Sequence, residues 1–216
     1  MIYTIGDIHG CLDPLRRLMD QIPLSETDEV VFIGDYVDRG PDSKGVIDYL
    51  LTLRGRYRFL MGNHERMFLD FLLGKDRDLF LYNGGTATLD SYGGVGNIPA
   101  AHLAFFNRLL PYYETDEYLF VHGGIRPGIP LQEQDPKDLL WIREEFYAYP
   151  GRYPKTVVFG HTPMREVLMD EDRIGIDTAC VYGNKLTCLI LPSREVIQAS
   201  NVLGSASRRA TVGHRR

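Results

Sequence analysis

The apolar run Val30-Val31-Phe32-Ile33 is followed at once by GDYVDRG, Gly34 to Gly40, which sets two carboxylates and an arginine between glycines where a buried strand should end. The same pattern, a short apolar run closing on a glycine and a polar cluster, recurs in IYTIGDIHG, YRFLMGNHE, YLFVHGG and TVVFGHT. Short unbroken apolar runs of this kind read as strands buried on both faces, each feeding a loop. Between the early runs the apolar spacing becomes helical, with Leu12, Leu15, Leu18, Met19 and Ile22 on one face and Val46, Ile47, Leu50, Leu51 and Leu53 on another. Strand alternating with helix predicts an α/β class for the first third.

Further along, Thr86 to Leu110 reads as helices broken at Gly93-Gly94 and Pro99. A hairpin is expected next, in YYETDEYLFV around Thr115-Asp116-Glu117. Beyond Thr156, the segments REVLM, RIGID, KLTCLIL and REVIQAS are separated by turn residues, which predicts a second, more antiparallel sheet. The closing stretch GSASRRATVGHRR is compositionally simple and is expected to be poorly ordered. The organisation is therefore a folded domain over 1–203 and a basic tail over 204–216.

With 216 residues, 44% hydrophobic and 25% charged, the chain has ample material for a core. The start MIYTIGDIHG lacks a basic leader followed by an apolar segment, and no apolar run approaches the roughly 18 residues of a spanning helix. A soluble, cytoplasmic protein with no membrane partner is the expectation. Cys11, Cys180 and Cys188 are irregularly spaced and form neither a disulfide framework nor a CxxC zinc site. The net charge is −5, and after Glu195 there is no acid but there are Arg208, Arg209, Arg215 and Arg216, so the body is more acidic than the total. That balance argues against a nucleic-acid partner.

In an open α/β sheet the loops at the carboxyl ends of the strands converge on one crevice. The five runs deliver Asp7 and His9, Asp35 and Asp38, Asn63 and His64, His122, and His161 to such loops. Carboxylates, an amide oxygen and imidazoles without thiolates suit manganese, iron or zinc better than calcium. The set is too large for one ion, and a carboxylate such as Asp35 can bridge two; paired cations recur in displacement at phosphorus. Taken singly, Asp7 would serve as a helix N-cap and Asn63 as a turn residue. Cys11 and Arg17 have the spacing of a thiolate phosphatase loop, but Pro14 lacks an N–H and Asp13 would repel an anion, so Cys11 is expected to be inert. His102 is expected to be structural, His214 solvated, and Trp141 core or pocket wall.

GDIHG, GDYVDRG, GNHE, HGG and GHT, in this order, resemble the signature blocks of the calcineurin-like metallophosphoesterases, in particular the phosphoprotein phosphatase branch and its bacterial members. The resemblance runs from about Ile2 to Leu191 and implies an α-β-β-α sandwich, two mixed sheets flanked by helices. It implies that Asp7 and His9 hold a first ion, that Asp35 bridges, and that Asn63, His122 and His161 hold a second. His64 is then the general acid, oriented by Asp38, while Arg39 and Arg143 grip the substrate phosphate. Arg126 competes with Arg143 for that role, and Tyr182 is a further pocket residue. Two divalent ions are implied, manganese first, with iron or zinc as alternatives. Ala179 departs from the glycine usual after IDT in the bacterial members.

The implied activity is that of a serine/threonine protein phosphatase, hydrolysing a phosphoprotein or small phosphoester by direct attack of a metal-bound hydroxide. The alternative is hydrolysis of symmetrical diadenosine tetraphosphate, since such enzymes look similar through the same blocks. A non-catalytic adaptor would show erosion of the ligand set, and no ligand is missing. The oligomeric state is left open.

Overall fold

Three of the apolar runs form parallel strands: β1 (Ile2–Ile5), β2 (Glu29–Phe32) and β3 (Arg56–Phe59). Ile5 is registered against Phe32, and Phe32 against Phe59. Parallel neighbours need a crossover, which α1 (Leu12–Met19) and α2 (Ser43–Thr52) provide on the expected apolar faces. The start of α2 is fixed by Asp42, whose carboxylate accepts from the Gly45 N–H at 2.8 Å. The computed structural model describes residues 1–201; the expected boundary at 203 and the tail over 204–216 lie outside the described residues.

After β3 come α3 (Asn63–Leu72), α4 (Arg77–Phe80), a π-helical stretch over Leu81–Gly85, α5 (Thr86–Tyr92) and α6 (Ala100–Phe106). The expected hairpin is β4 (Tyr112–Glu114) with β5 (Tyr118–Val121), followed by α7 (Pro136–Trp141) and α8 (Glu144–Tyr147). The remaining strands are β6 (Thr156–Phe159), β7 (Leu168–Met169), β8 (Arg173–Gly175), β9 (Lys185–Leu191) and β10 (Glu195–Ser200).

The strand orders are β10-β9-β1-β2-β3 and β4-β5-β6-β8-β7, two mixed sheets as expected. One expectation needs correction: the strands beyond Thr156 do not form a sheet of their own. β6, β7 and β8 extend the sheet begun by β4 and β5, and the β5-β6-β8 centre of that sheet is parallel. β9 and β10 return instead to the first sheet, where β9 pairs antiparallel with β1. The reason is two-sided burial: Leu186 and Cys188 face one apolar cluster and Leu189 and Leu191 another, so β9 needs an interior position.

Alternation along the strands builds the layers. Val30 and Phe32 join a cluster with α1, α2, α3 and α6, whereas Val31 lies between the sheets with Phe120, Val158, Ile174 and Leu189. Leu119, Val121, Val157 and Phe159 face the opposite way, toward α7 and α8. The result is α-β-β-α, with the loops after β1, β2, β5 and β6 and the start of α3 along one edge. Among the described residues no helix is long and apolar enough to cross a membrane. Phe120, fully buried at the centre of the inter-sheet layer, tests this layering. Phe120→Ala is expected to cost about 3–5 kcal/mol in urea unfolding, whereas Val196→Ala on the half-exposed outer strand should stay within about 0.5 kcal/mol.

Candidate metal centre

The loops carrying the polar clusters are locked to one another through their backbones. Ile8 and His9 donate to the Asp35 carbonyl at 3.0 and 2.8 Å, and Gly10 donates to the Tyr36 carbonyl at 2.8 Å. His9, Asp35, Asp38, Arg39 and His161 all have positive φ, between 46° and 71°. That conformation costs a non-glycine residue roughly 1–2 kcal/mol, so the surroundings must enforce it.

At Asp35 the enforcement comes from Glu65, a residue given no role by the sequence motifs. Its Oε1 accepts from the N–H groups of Tyr36 and Val37, and its Oε2 from those of Asp35 and Gly62, at 2.8 to 3.2 Å. One fully buried carboxylate thus holds the loop after β2 to the start of α3. Burial pushes its carboxyl up to about 8, Asp35 adding to the effect. The available signal was its place three residues after Gly62, where a glutamate reaches back to cap a helix.

Inside this frame the side chains converge. His9 Nδ1 lies 2.8 Å from the Val37 carbonyl and His122 Nδ1 2.9 Å from that of Ile33. A carbonyl only accepts, so each Nδ1 carries a hydrogen, and in the neutral form of each ring the Nε2 lone pair faces inward. His122 Nε2 there meets the Asn63 amide oxygen at 2.9 Å and Asp35 Oδ1 at 3.3 Å, while His9 Nε2 is 3.4 Å from Asp35 Oδ2. His161 Nδ1 reaches the same Asn63 oxygen at 2.9 Å, and its N–H donates to Asp7 Oδ2 at 3.0 Å. Asp7 Oδ1 is buried with no hydrogen-bond partner.

Two groups of three donors lie with their ligand atoms within 4.8 Å of one another: His9, Asp35 and His64, and Asp35, His122 and His161. Asp35 belongs to both. Lone pairs crowded against carboxylate oxygens require positive charge among them, and oxygen and imidazole donors suit a borderline divalent metal. The centre therefore fits a pair of cations.

The electrostatics agree. Burial, with Asp177 and Asp35 adding, pushes the Asp7 carboxyl well up, and burial raises Asp38 to about 8 and Asp177 to about 6. Burial would raise Asp35 too, but His122, His64 and His9 hold it well below the carboxylate range. Burial lowers His9 far below its usual value, His64 to about 4 and His161 to about 2. Only His122 moves up, to about 9, Asp35 and Asp7 overcoming its burial.

His64 Nδ1 is 2.7 Å from Asp38 Oδ2, and its Nε2 is buried without a partner. Arg39 Nη1 is 2.7 Å from His9 Nε2, and its guanidinium lies 5.7 Å from the Tyr182 ring centre. Arg143 Nε reaches His161 Nε2 at 3.1 Å. Arg126 points elsewhere, forked onto Asp138 at 2.6 and 2.7 Å. Trp141, half-buried, packs edge-on against His161 and against the core cluster. His102 is tied to Tyr92 and Asp48, and Cys11 is buried against Asn201. Ala179 has φ 58°, a conformation in which glycine would be unstrained.

Comparison with known proteins agrees with this geometry. A family profile described as calcineurin-like phosphoesterase matches residues 1–190. A bis(5'-nucleosyl)-tetraphosphatase PrpE (asymmetrical) of Oceanobacillus iheyensis is 27% identical over 235 residues, 93% of this chain and 92% of the relative. The serine/threonine-protein phosphatase 1 of Salmonella typhimurium is 30% identical over 198 residues, 86% of this chain and 89% of the relative. A crystal structure of a protein assigned as a diadenosine tetraphosphatase superposes with a TM-score of 0.74 at 25% identity, covering 92% of both chains.

At Gly160 the backbone approaches the Asp7 carboxylate closely. A Cβ at Gly160 would overlap Asp7 Oδ1. Gly160→Ala is expected to keep the far-UV circular dichroism of the parent and to lose at least one metal ion per chain, measured by mass spectrometry of the manganese-loaded protein.

Proposed function

The chain belongs to the calcineurin-like phosphoesterase family, and from that premise we propose that it hydrolyses dinucleoside polyphosphates at a centre of two divalent cations. One observation carries the choice of substrate. A cavity of about 510 Å³ adjoins Arg39, walled by Leu12, Pro14, Pro41 and Val181, with Asp13, Asp42 and Asn201 as its other polar groups. An apolar shelf with a few polar groups beside a phosphate-gripping arginine suits a nucleoside. The tetraphosphatase relatives, alignable over more than nine-tenths of their length, support the same reading. Sequence alone ranks hydrolysis of phosphoserine and phosphothreonine in proteins first, and the Salmonella relative keeps it as the second reading.

Asp7 and His9 would hold one cation, Asn63, His122 and His161 the other, with Asp35 shared. Manganese leads, iron or zinc being the alternatives. When bound, the pair supplies a nucleophile from water near neutral pH and neutralises phosphoryl oxygens. The protein's own groups do the rest. Arg39 and Arg143 approach from two sides and clamp the non-bridging oxygens, forks matched to phosphate. His64, held by Asp38, presents Nε2 to the oxygen that leaves as the new bond to phosphorus forms. With Asp38 raised to about 8 and His64 lowered to about 4, the pair holds one proton between Oδ2 and Nδ1, so the Nε2 hydrogen is the one given up.

With manganese at matched concentrations, diadenosine tetraphosphate is expected to turn over faster than a phosphoserine peptide. Chromatography then distinguishes ATP plus AMP from two ADP, the asymmetrical and symmetrical outcomes. Faster cleavage of the peptide would establish the second reading. Exhaustive dialysis against EDTA should abolish both activities, and manganese should restore them. His64→Asn is expected to lower kcat on phenyl phosphate by about 10²–10⁴ with metal content retained.

A further inference from the structure

The pairing of His64 with Asp38 depends on a third side chain. Asp38 Oδ1 accepts the hydroxyl of Thr88 at 2.6 Å, leaving Oδ2 to face His64 Nδ1 at 2.7 Å. The Asp38 N–H donates back to Thr88 Oγ1 at 2.9 Å and to Ser43 Oγ at 3.1 Å, and the two hydroxyl oxygens are 3.0 Å apart. Thr88, Ser43, Asp38 and His64 are all essentially inaccessible to solvent.

A hydroxyl has one proton and accepts two hydrogen bonds. The Thr88 proton goes to Asp38 Oδ1, so Thr88 Oγ1 is left to accept, from the Asp38 N–H and from the Ser43 hydroxyl. The carboxylate is then pinned about its terminal torsion. Its second oxygen accepts only from His64 Nδ1, which fixes the imidazole's orientation and leaves Nε2, buried and without a partner, directed at the centre. Both directions of the Thr88 contact end on one residue, 50 positions earlier in the chain.

The route by which Thr88 arrives there is specific. It lies on α5, directly after the π-helical stretch, in which Gly84 has φ 98°. The Gly84 carbonyl accepts the Arg39 N–H at 3.1 Å, and a Cβ on Gly84 would stand 2.8 Å from Arg39 Cγ. One kink therefore seats the phosphate-gripping arginine and aims the helix that carries Thr88.

We propose that Thr88 is a positioning residue for proton delivery to the leaving group, acting on His64 through Asp38; this rests on the reading of His64 as the proton donor. A threonine that merely satisfied the backbone of Asp38 would affect folding, or all substrates alike. One that orients the proton donor matters in proportion to how badly the leaving group needs a proton.

The test compares phenyl phosphate, a poor leaving group, with p-nitrophenyl phosphate, a good one, on the manganese-loaded full chain. Thr88→Val is expected to lower kcat on phenyl phosphate by about 10-fold or more, to leave p-nitrophenyl phosphate within about two-fold, and to change neither KM nor metal content. Thr88→Ser, which restores the hydroxyl, should recover the parent kcat; should the valine variant not fold, Thr88→Ala carries the same expectation. Equal loss on both substrates, loss of metal, or no rescue by serine overturns the proposal. His64→Asn, measured in parallel, separates the two layers of inference. If it shows the substrate bias and Thr88→Val does not, only the role of Thr88 falls. If it shows none, the reading of His64 falls and that of Thr88 with it.

Discussion

Everything at the centre answers one cost, the withdrawal of carboxylates from water. Asp7, Asp35, Asp38, Glu65 and Asp177 are all buried along one edge of the sandwich, a concentration of negative charge that no apolar core tolerates unanswered. The chain answers it in different ways. Glu65 is met by four backbone N–H groups, Asp38 by a hydroxyl and an imidazole, and Asp35 by three imidazoles. Asp7 accepts the His161 N–H on one oxygen and keeps the other without a hydrogen-bond partner. The strained backbones of His9, Asp35, Asp38, Arg39 and His161 are secondary consequences, since only such turns aim so many short side chains at one volume.

The sandwich supplies the rigidity on which that arrangement depends. Two sheets share one apolar layer, and the loops after β1, β2, β5 and β6 leave from a common edge, so ligands distant in sequence are held by the same packed strands. Arg39 and Arg143 come from opposite halves of the molecule and reach imidazoles on opposite flanks, His9 and His161.

The ligand loops were legible in the sequence because a buried strand closing on glycine and a polar residue is a local pattern. The hairpin at Thr115 and the helix breaks at Gly93-Gly94 and Pro99 were legible for the same reason. The destination of β9 was not, since an apolar run buried on both faces looks alike in either sheet. Nor were the roles of Glu65 and Thr88. Beyond its local cap on Gly62, Glu65 acts on Asp35, Tyr36 and Val37, 28 to 30 positions away, and Thr88 acts on Asp38, 50 positions away, contacts that the local sequence does not announce. The fork of Arg126 was not legible either, since Asp138 lies twelve residues away and is unremarkable as a sequence feature.

The position of β9 also bears on when this protein becomes competent during synthesis. β1, which leads directly into Asp7 and His9, has on one side a neighbour that ends at Leu191, registered against Ile2. Until that distant segment has left the ribosome, one flank of β1 stays unpaired. A nascent chain thus exposes a strand edge for most of its translation, the interval in which a chaperone would have something to hold.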